Sequence, residues 1–147
     1  MCNVFFKILR EGAEAPRYAT EGSAAADLRA VLDSPLTLEP GKSAAVPTGI
    51  AIQLPDRLKV ALVFARSGLA SRHGIALSNG VGVIDSDYRG EVCVLLKNFS
   101  DEPYTITNGE RIAQLMVTDA IQCGFTEVDE LEDTDRGSGG FGSTGNN

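Results

Sequence analysis

The chain has 147 residues, 43% of them hydrophobic and 22% charged, with a formal net charge of −7 at pH 7. That composition describes one soluble globular domain with enough apolar residues for a real core. The acidic balance argues against a nucleic acid as the main partner. It leaves room for a small phosphorylated ligand, provided local arginines, backbone N–H groups or a divalent cation offset the field.

Cys2, Cys93 and Cys123 are odd in number and form no C-x-x-C pair. Reduced thiols in a cytoplasmic protein are expected, not a disulfide framework or a zinc site. Val4–Leu9 is apolar but short and interrupted by Lys7, so it reads as a strand and not as a signal peptide or membrane span.

The pattern that follows is β nearly throughout. Asp27 sits among small apolar residues in Ala24-Ala25-Ala26-Asp27-Leu28-Arg29. Such an acid is either buried and hydrogen-bonded or directed at a metal. Gly41-Lys42-Ser43 looks like the end of a P-loop, but Leu36 occupies the upstream glycine position. Ala45–Leu54 reads as a strand. Leu58, Val60, Leu62 and Phe64 alternate, as do Val92, Val94 and Leu96. Tyr104–Thr107 and Ile112–Thr118 complete the set, and Pro40-Gly41, Pro55-Asp56, Asn79-Gly80 and Asn108-Gly109 supply turns. Many short strands joined by Gly/Pro turns predict an all-β jelly-roll-like barrel or sandwich.

The one helix is expected over Ser67–Arg72, with Ser67 as N-cap and Gly74 as the stop. Arg66-Ser67-Gly68 at its start offers donors suited to a phosphate; a plain cap explains the same residues. His73 is the only histidine, so no His-rich metal site exists and a positioned base would come from a carboxylate.

Asn79–Gly90 is the richest segment, reading NGVGVIDSDYRG. Its three glycines within a β pattern predict a tight hairpin whose backbone approaches a ligand. Backbone groups there can read a pyrimidine edge, because uracil and cytosine differ in donor and acceptor at one ring position. Asp85 follows Val81–Ile84 and is a candidate general base toward water. Tyr88 can lie flat against a sugar and leave no space for a 2′-hydroxyl. A structural hairpin with a solvated Asp-Ser-Asp tip is the plainer alternative. Arg111 and Gln114 are three apart in a strand, so they should face opposite sides unless a bulge intervenes.

Residues 129–135 form an acidic linker, and Arg136–Asn147 is a glycine-rich tail with a single aromatic, Phe141. A flexible flap of this kind could clamp a phosphate with Arg136 and lay Phe141 over a flat ring. The G-x-G-x-x-G string at 137–142 lacks the strand and helix that a dinucleotide site needs.

In this order the segments Ala24–Ala30, Ala65–Ser71, Asn79–Gly90, Gly109–Leu115 and Arg136–Gly145 resemble the five motifs of the trimeric dUTP pyrophosphatases, the dUTPases. The resemblance implies a jelly-roll-like β domain over 1–128 and a C-terminal active-site lid over 136–147. It implies a homotrimer with three sites at subunit interfaces. The implied activity is hydrolysis of dUTP to dUMP and pyrophosphate with Mg²⁺, which limits uracil in DNA and supplies dUMP for dTMP synthesis.

The same resemblance makes Asp85 the base that activates water for attack on the α-phosphorus. Asn79 and the backbone of Gly82, Val83 and Ile84 would bind uracil, and Tyr88 would exclude ribose. Arg66, Ser67, Gly68 and Gln114 would contact phosphates, with Asp27 on the metal side through water. Arg136, Gly142, Ser143 and Thr144 would close the site, and Phe141 would stack on uracil. Arg111 would be structural. Two other readings are a dCTP deaminase of the same architecture and a non-catalytic jelly-roll module. The deaminase needs a glutamate where this chain has Leu95.

Overall fold

The computed structural model describes residues 3–140. In chain order the strands are β1 (Phe5–Ile8), β2 (Arg17–Tyr18), β3 (Ala26–Arg29), β4 (Leu36–Leu38), β5 (Ser43–Pro47) and β6 (Ile50–Gln53). They continue as β7 (Lys59–Ala65), β8 (Ile75–Leu77), β9 (Gly82–Ile84), β10 (Cys93–Asn98), β11 (Tyr104–Ile106) and β12 (Arg111–Asp119). One short helix, α1 (Ser67–His73), joins β7 to β8. The largest sheet runs β2-β3-β12-β7-β9, a second runs β5-β10-β8, and β1-β6 and β11-β4 form two-stranded pieces. All pairings are antiparallel, as expected of a jelly-roll-like body.

The core is drawn from the inner faces of these sheets: Leu28, Val46, Ile50, Ile75, Val94, Leu96, Ile106 and Ile112 are almost fully buried. The face buried by β7 differs from the one its large residues suggest. Ala61 and Val63 point into the core, whereas Val60, Leu62 and Phe64 are only half-buried and Leu58 is exposed. Small residues fit against the opposing sheet, and the larger ones cover the outer face.

Ala45–Leu54 is two strands, not one. Gly49 takes φ +70° between them, and a Cβ there would stand 2.6 Å from that of Ala13. Glycine is therefore required both for the left-handed turn and for the close approach. The helix is capped one residue earlier than expected. Arg66 is the N-cap in extended conformation with no side-chain cap bond, and Ser67 is the first helical residue. Gly74 ends the helix in the left-handed conformation, its N–H reaching the carbonyls of Ala70 and Leu69.

One polar side chain lies at the centre of the packing. Asn98 is wholly buried. Its Nδ2 donates to Leu38 O at 2.9 Å and Glu102 O at 2.7 Å, and its Oδ1 accepts from Ser100 N at 2.9 Å and Ser100 Oγ at 2.8 Å. Asn98→Ala strands several of these groups at once and is expected to cost about 2–4 kcal/mol. The check is a lowered urea midpoint with an unchanged slope.

Candidate active site

Two clefts gather most of the predicted site residues. The first encloses about 340 Å³, enough for a small ligand. Asn79, Gly82, Val83, Ile84, Asp85 and Tyr88 all line it, over a floor that includes Val63, Leu77, Val92 and Val94. The segment that carries them turns a corner between two sheets and is not a closed hairpin, because β8 pairs with β10 while β9 pairs with β7. Gly82 lets β9 lie close on its neighbour: a Cβ there would be 3.1 Å from the Cβ of Val63. Since β9 is the last strand of its sheet, one side of its backbone has no strand partner among the described residues. Those N–H and C=O groups are available to a flat polar ring.

Asp85 follows β9 directly and is exposed. Its backbone carbonyl accepts the N–H of Tyr88 at 3.1 Å. Among the described residues its carboxylate has no hydrogen bond or ion pair, so both oxygens are free to accept a proton. Tyr88 donates from its hydroxyl to Glu91 O at 3.0 Å. Glu91, at the rear of the cleft, is held by Arg10, whose Nε and Nη2 donate at 2.8 and 3.0 Å. Those hydrogen bonds lower the Glu91 carboxyl below its ordinary value against an opposing effect of burial, with help from Gly49 N–H. Cys93 also lines the cleft. Although the residue is exposed, partial desolvation and the nearby Glu91 charge raise its thiol above the ordinary value of 9.0. The same environment disfavours the thiolate form that a nucleophile needs.

The second cleft, about 530 Å³, is lined by Asp27, Arg66, Ser67, Gly68, Arg111 and Gln114 among others. Register explains how they meet. Gln114 stands opposite Asp27 on β3 and opposite Phe64 on β7, which places the three side chains on one face. A β-bulge between Arg111 and Ala113 shifts Arg111 onto that same face, so the residues three apart do not diverge. The Arg111 guanidinium Nη1 then reaches Asp27 Oδ2 at 3.0 Å, and Arg66 Nε reaches Asp27 Oδ1 at 3.0 Å. Arg66 Nη1 also donates to Arg111 O at 3.2 Å, and Gln114 Nε2 donates to Ala65 O at 3.0 Å.

Two guanidiniums around one carboxylate leave the cluster with a surplus positive charge, and among the described residues Asp27 is the only acid lining the cleft. An acidic protein thus presents a local site for an anion. At Gly68 a Cβ would meet nothing within 4 Å. Packing therefore does not demand the glycine, and what its missing side chain leaves is open access to the backbone.

Asp27 is the residue expected on the metal side. Both of its oxygens already accept from arginine, and among the described residues no group of three or more His, Cys, Asp or Glu side chains could hold a metal ion. These residues would fit a cation that came bound to a phosphate ligand, which Asp27 would meet only through its remaining lone pairs. They do not form a resident cage.

The clefts open on opposite sides of the large sheet. Val63 lines the first and its neighbour Phe64 lines the second, and successive side chains on a strand point to opposite faces. Arg136 lines neither cleft. Its Nε donates to Gly139 O at 2.9 Å within its own turn. Phe141, Gly142, Ser143 and Thr144 lie outside the described residues. Sequence reasoning missed Arg10 and Glu91. They meet across 81 positions, a pairing that leaves no local signature.

Known proteins share both the sequence and the shape. The dUTPase family profile matches residues 11–145. The deoxyuridine 5'-triphosphate nucleotidohydrolase of Desulfitobacterium hafniense is 55% identical over 130 residues, covering 88% of this chain and 86% of the relative. The protein of the same name from Hahella chejuensis is 54% identical with the same coverage. Among solved structures, Staphylococcus bacteriophage 80alpha dUTPase with dUpNHpp superposes with a TM-score of 0.87 at 27% identity, covering 97% of this chain and 98% of that one. With the profile spanning nearly the whole sequence and relatives this similar over most of their length, the chain belongs to the dUTPase family.

Proposed function

We infer that this chain hydrolyses dUTP to dUMP and pyrophosphate, with Asp85 as the base that draws a proton from the attacking water. The observation that carries the reading is the placement of an unpaired carboxylate at the end of an edge strand whose backbone lines a ligand-sized cleft. Asn79 and the free side of Gly82–Ile84 read the uracil edge. Tyr88 stands against the sugar and closes the space a 2′-hydroxyl would need. Asp85 then accepts a proton from a water directed at the α-phosphorus, a step that contributes roughly 10²–10⁴-fold.

Arg66, Ser67, Gly68 and Gln114 hold the phosphate chain. Asp27 keeps Arg66 and Arg111 aimed and would meet a substrate-borne Mg²⁺ through water. When bound, that ion offsets charge on the triphosphate. Arg136, Phe141, Gly142, Ser143 and Thr144 close over the nucleotide and exclude bulk water.

Because the two clefts face opposite ways, one copy does not bring its own base and phosphate residues together. Sites shared between copies of a homotrimer resolve this. Apolar surface left open on a single copy supports that assembly: Phe5, Phe6, Ile8, Leu9 and Tyr18 are exposed beside the short β1 and β2, and Ile121, Phe125 and Leu131 are exposed beyond β12.

Leu95 lines the first cleft and has no group to transfer a proton, which disfavours deamination of cytosine. The testing experiment is pyrophosphate release by purified protein with Mg²⁺. Release from dUTP should be far faster than from dTTP, dCTP or UTP. No release at micromolar enzyme overturns the reading in favour of a binding module.

A further inference from the structure

We propose that Gly90 and Arg10, neither of which meets the nucleotide, set discrimination against ribose by fixing the position of Tyr88. This rests on Tyr88 facing the sugar, as read above. A tyrosine on an exposed loop would ordinarily swing through several rotamers and make a poor wall. Here the ring is held from two sides. Its hydroxyl donates to Glu91 O at 3.0 Å, which requires the ring to fold back over the chain. Only a glycine at position 90 permits that fold: a Cβ there would lie 2.3 Å from Tyr88 Oη and 2.6 Å from Cζ.

The brace is as firm as Glu91, and Glu91 is tied to the body. Its carboxylate accepts a two-point fork from Arg10 and a third bond from Gly49 N at 2.9 Å. The next residue continues the attachment: Val92 N donates to Ile50 O at 2.8 Å, and Thr48 Oγ1 donates to Val92 O at 2.6 Å. Arg10 itself follows β1 and lines neither cleft. It is a positioning residue, acting on the sugar wall through Glu91.

The test compares kcat/KM for UTP and dUTP in the full-length protein and in Tyr88→Ala, Gly90→Ala, Arg10→Ala and Arg10→Lys. Tyr88→Ala should raise the UTP:dUTP ratio by removing the wall. Gly90→Ala and Arg10→Ala should each raise it by about tenfold, since a displacement of the order of 1 Å is enough for such losses. Arg10→Lys, which keeps the charge and loses the fork, should fall between. Thermal unfolding should remain cooperative in all four. A ratio that moves with Tyr88→Ala but stays at the wild-type value in both folded Gly90→Ala and folded Arg10→Ala overturns the brace and leaves the site reading intact. A ratio unmoved by Tyr88→Ala removes the sugar role of the tyrosine, and the brace with it.

Discussion

Asp85→Asn should lower dUTP turnover by about 10²–10⁴-fold while assembly, dUTP affinity and thermal stability stay near those of the unchanged protein. The substitution keeps the shape of the side chain and removes its ability to take a proton. Nothing in the fold depends on the charge: the residue is exposed, and among the described residues its carboxylate has no ion pair or hydrogen bond to lose. Surface changes of this kind stay within about 0.5 kcal/mol of stability. Single-turnover pyrophosphate release beside equilibrium binding of a non-hydrolysable analogue separates chemistry from recognition. Near-normal turnover would move the base elsewhere. Asp27 would be a poor substitute, because both its oxygens are engaged by arginine.

Ending the chain after Asp135 is expected to leave the β body folded and to reduce kcat/KM for dUTP by about 10²-fold or more. Residues 121–138 are exposed throughout, and Arg136 bonds within its own turn. Among the described residues no fully buried core residue lies beyond Leu115. Removal is therefore expected to take away the proposed closure over the nucleotide and to leave the described core intact. Thermal unfolding and steady-state kinetics on the same preparation check both halves. Loss of the cooperative transition would make the tail part of the body. Full activity would leave Arg136 and Phe141 without a role in catalysis.

Much of this was legible from residue order. Val92, Val94 and Leu96 alternate and point inward as their spacing implies, and Gly74 stops α1. Asn79, Asp85 and Tyr88 share one cleft as neighbours in a single segment should. The rest depended on partners distant in the chain. Apolar size misreads β7, since the opposing sheet selects Ala61 and Val63 for the interior. Ala45–Leu54 reads as one strand from its residues alone, and the break at Gly49 emerges only from its left-handed turn and the crowding against Ala13. β3 escaped notice because Ala26-Asp27-Leu28-Arg29 alternates around small residues, a weak signal until β12 supplies the opposing strand. The bulge that unites Arg111 with Gln114 has no marker of its own. It exists in the register between two strands.

The back-to-back placement of the two clefts bears on inhibitor design. A compound bound in one cleft meets Asn79, Asp85 and Tyr88, and a compound bound in the other meets Asp27 with Arg66 and Arg111. In the proposed homotrimer, a molecule long enough to engage both would bridge separate copies of the protein. Its potency would then follow how many copies are associated, and would fade on dilution even at a fixed dose.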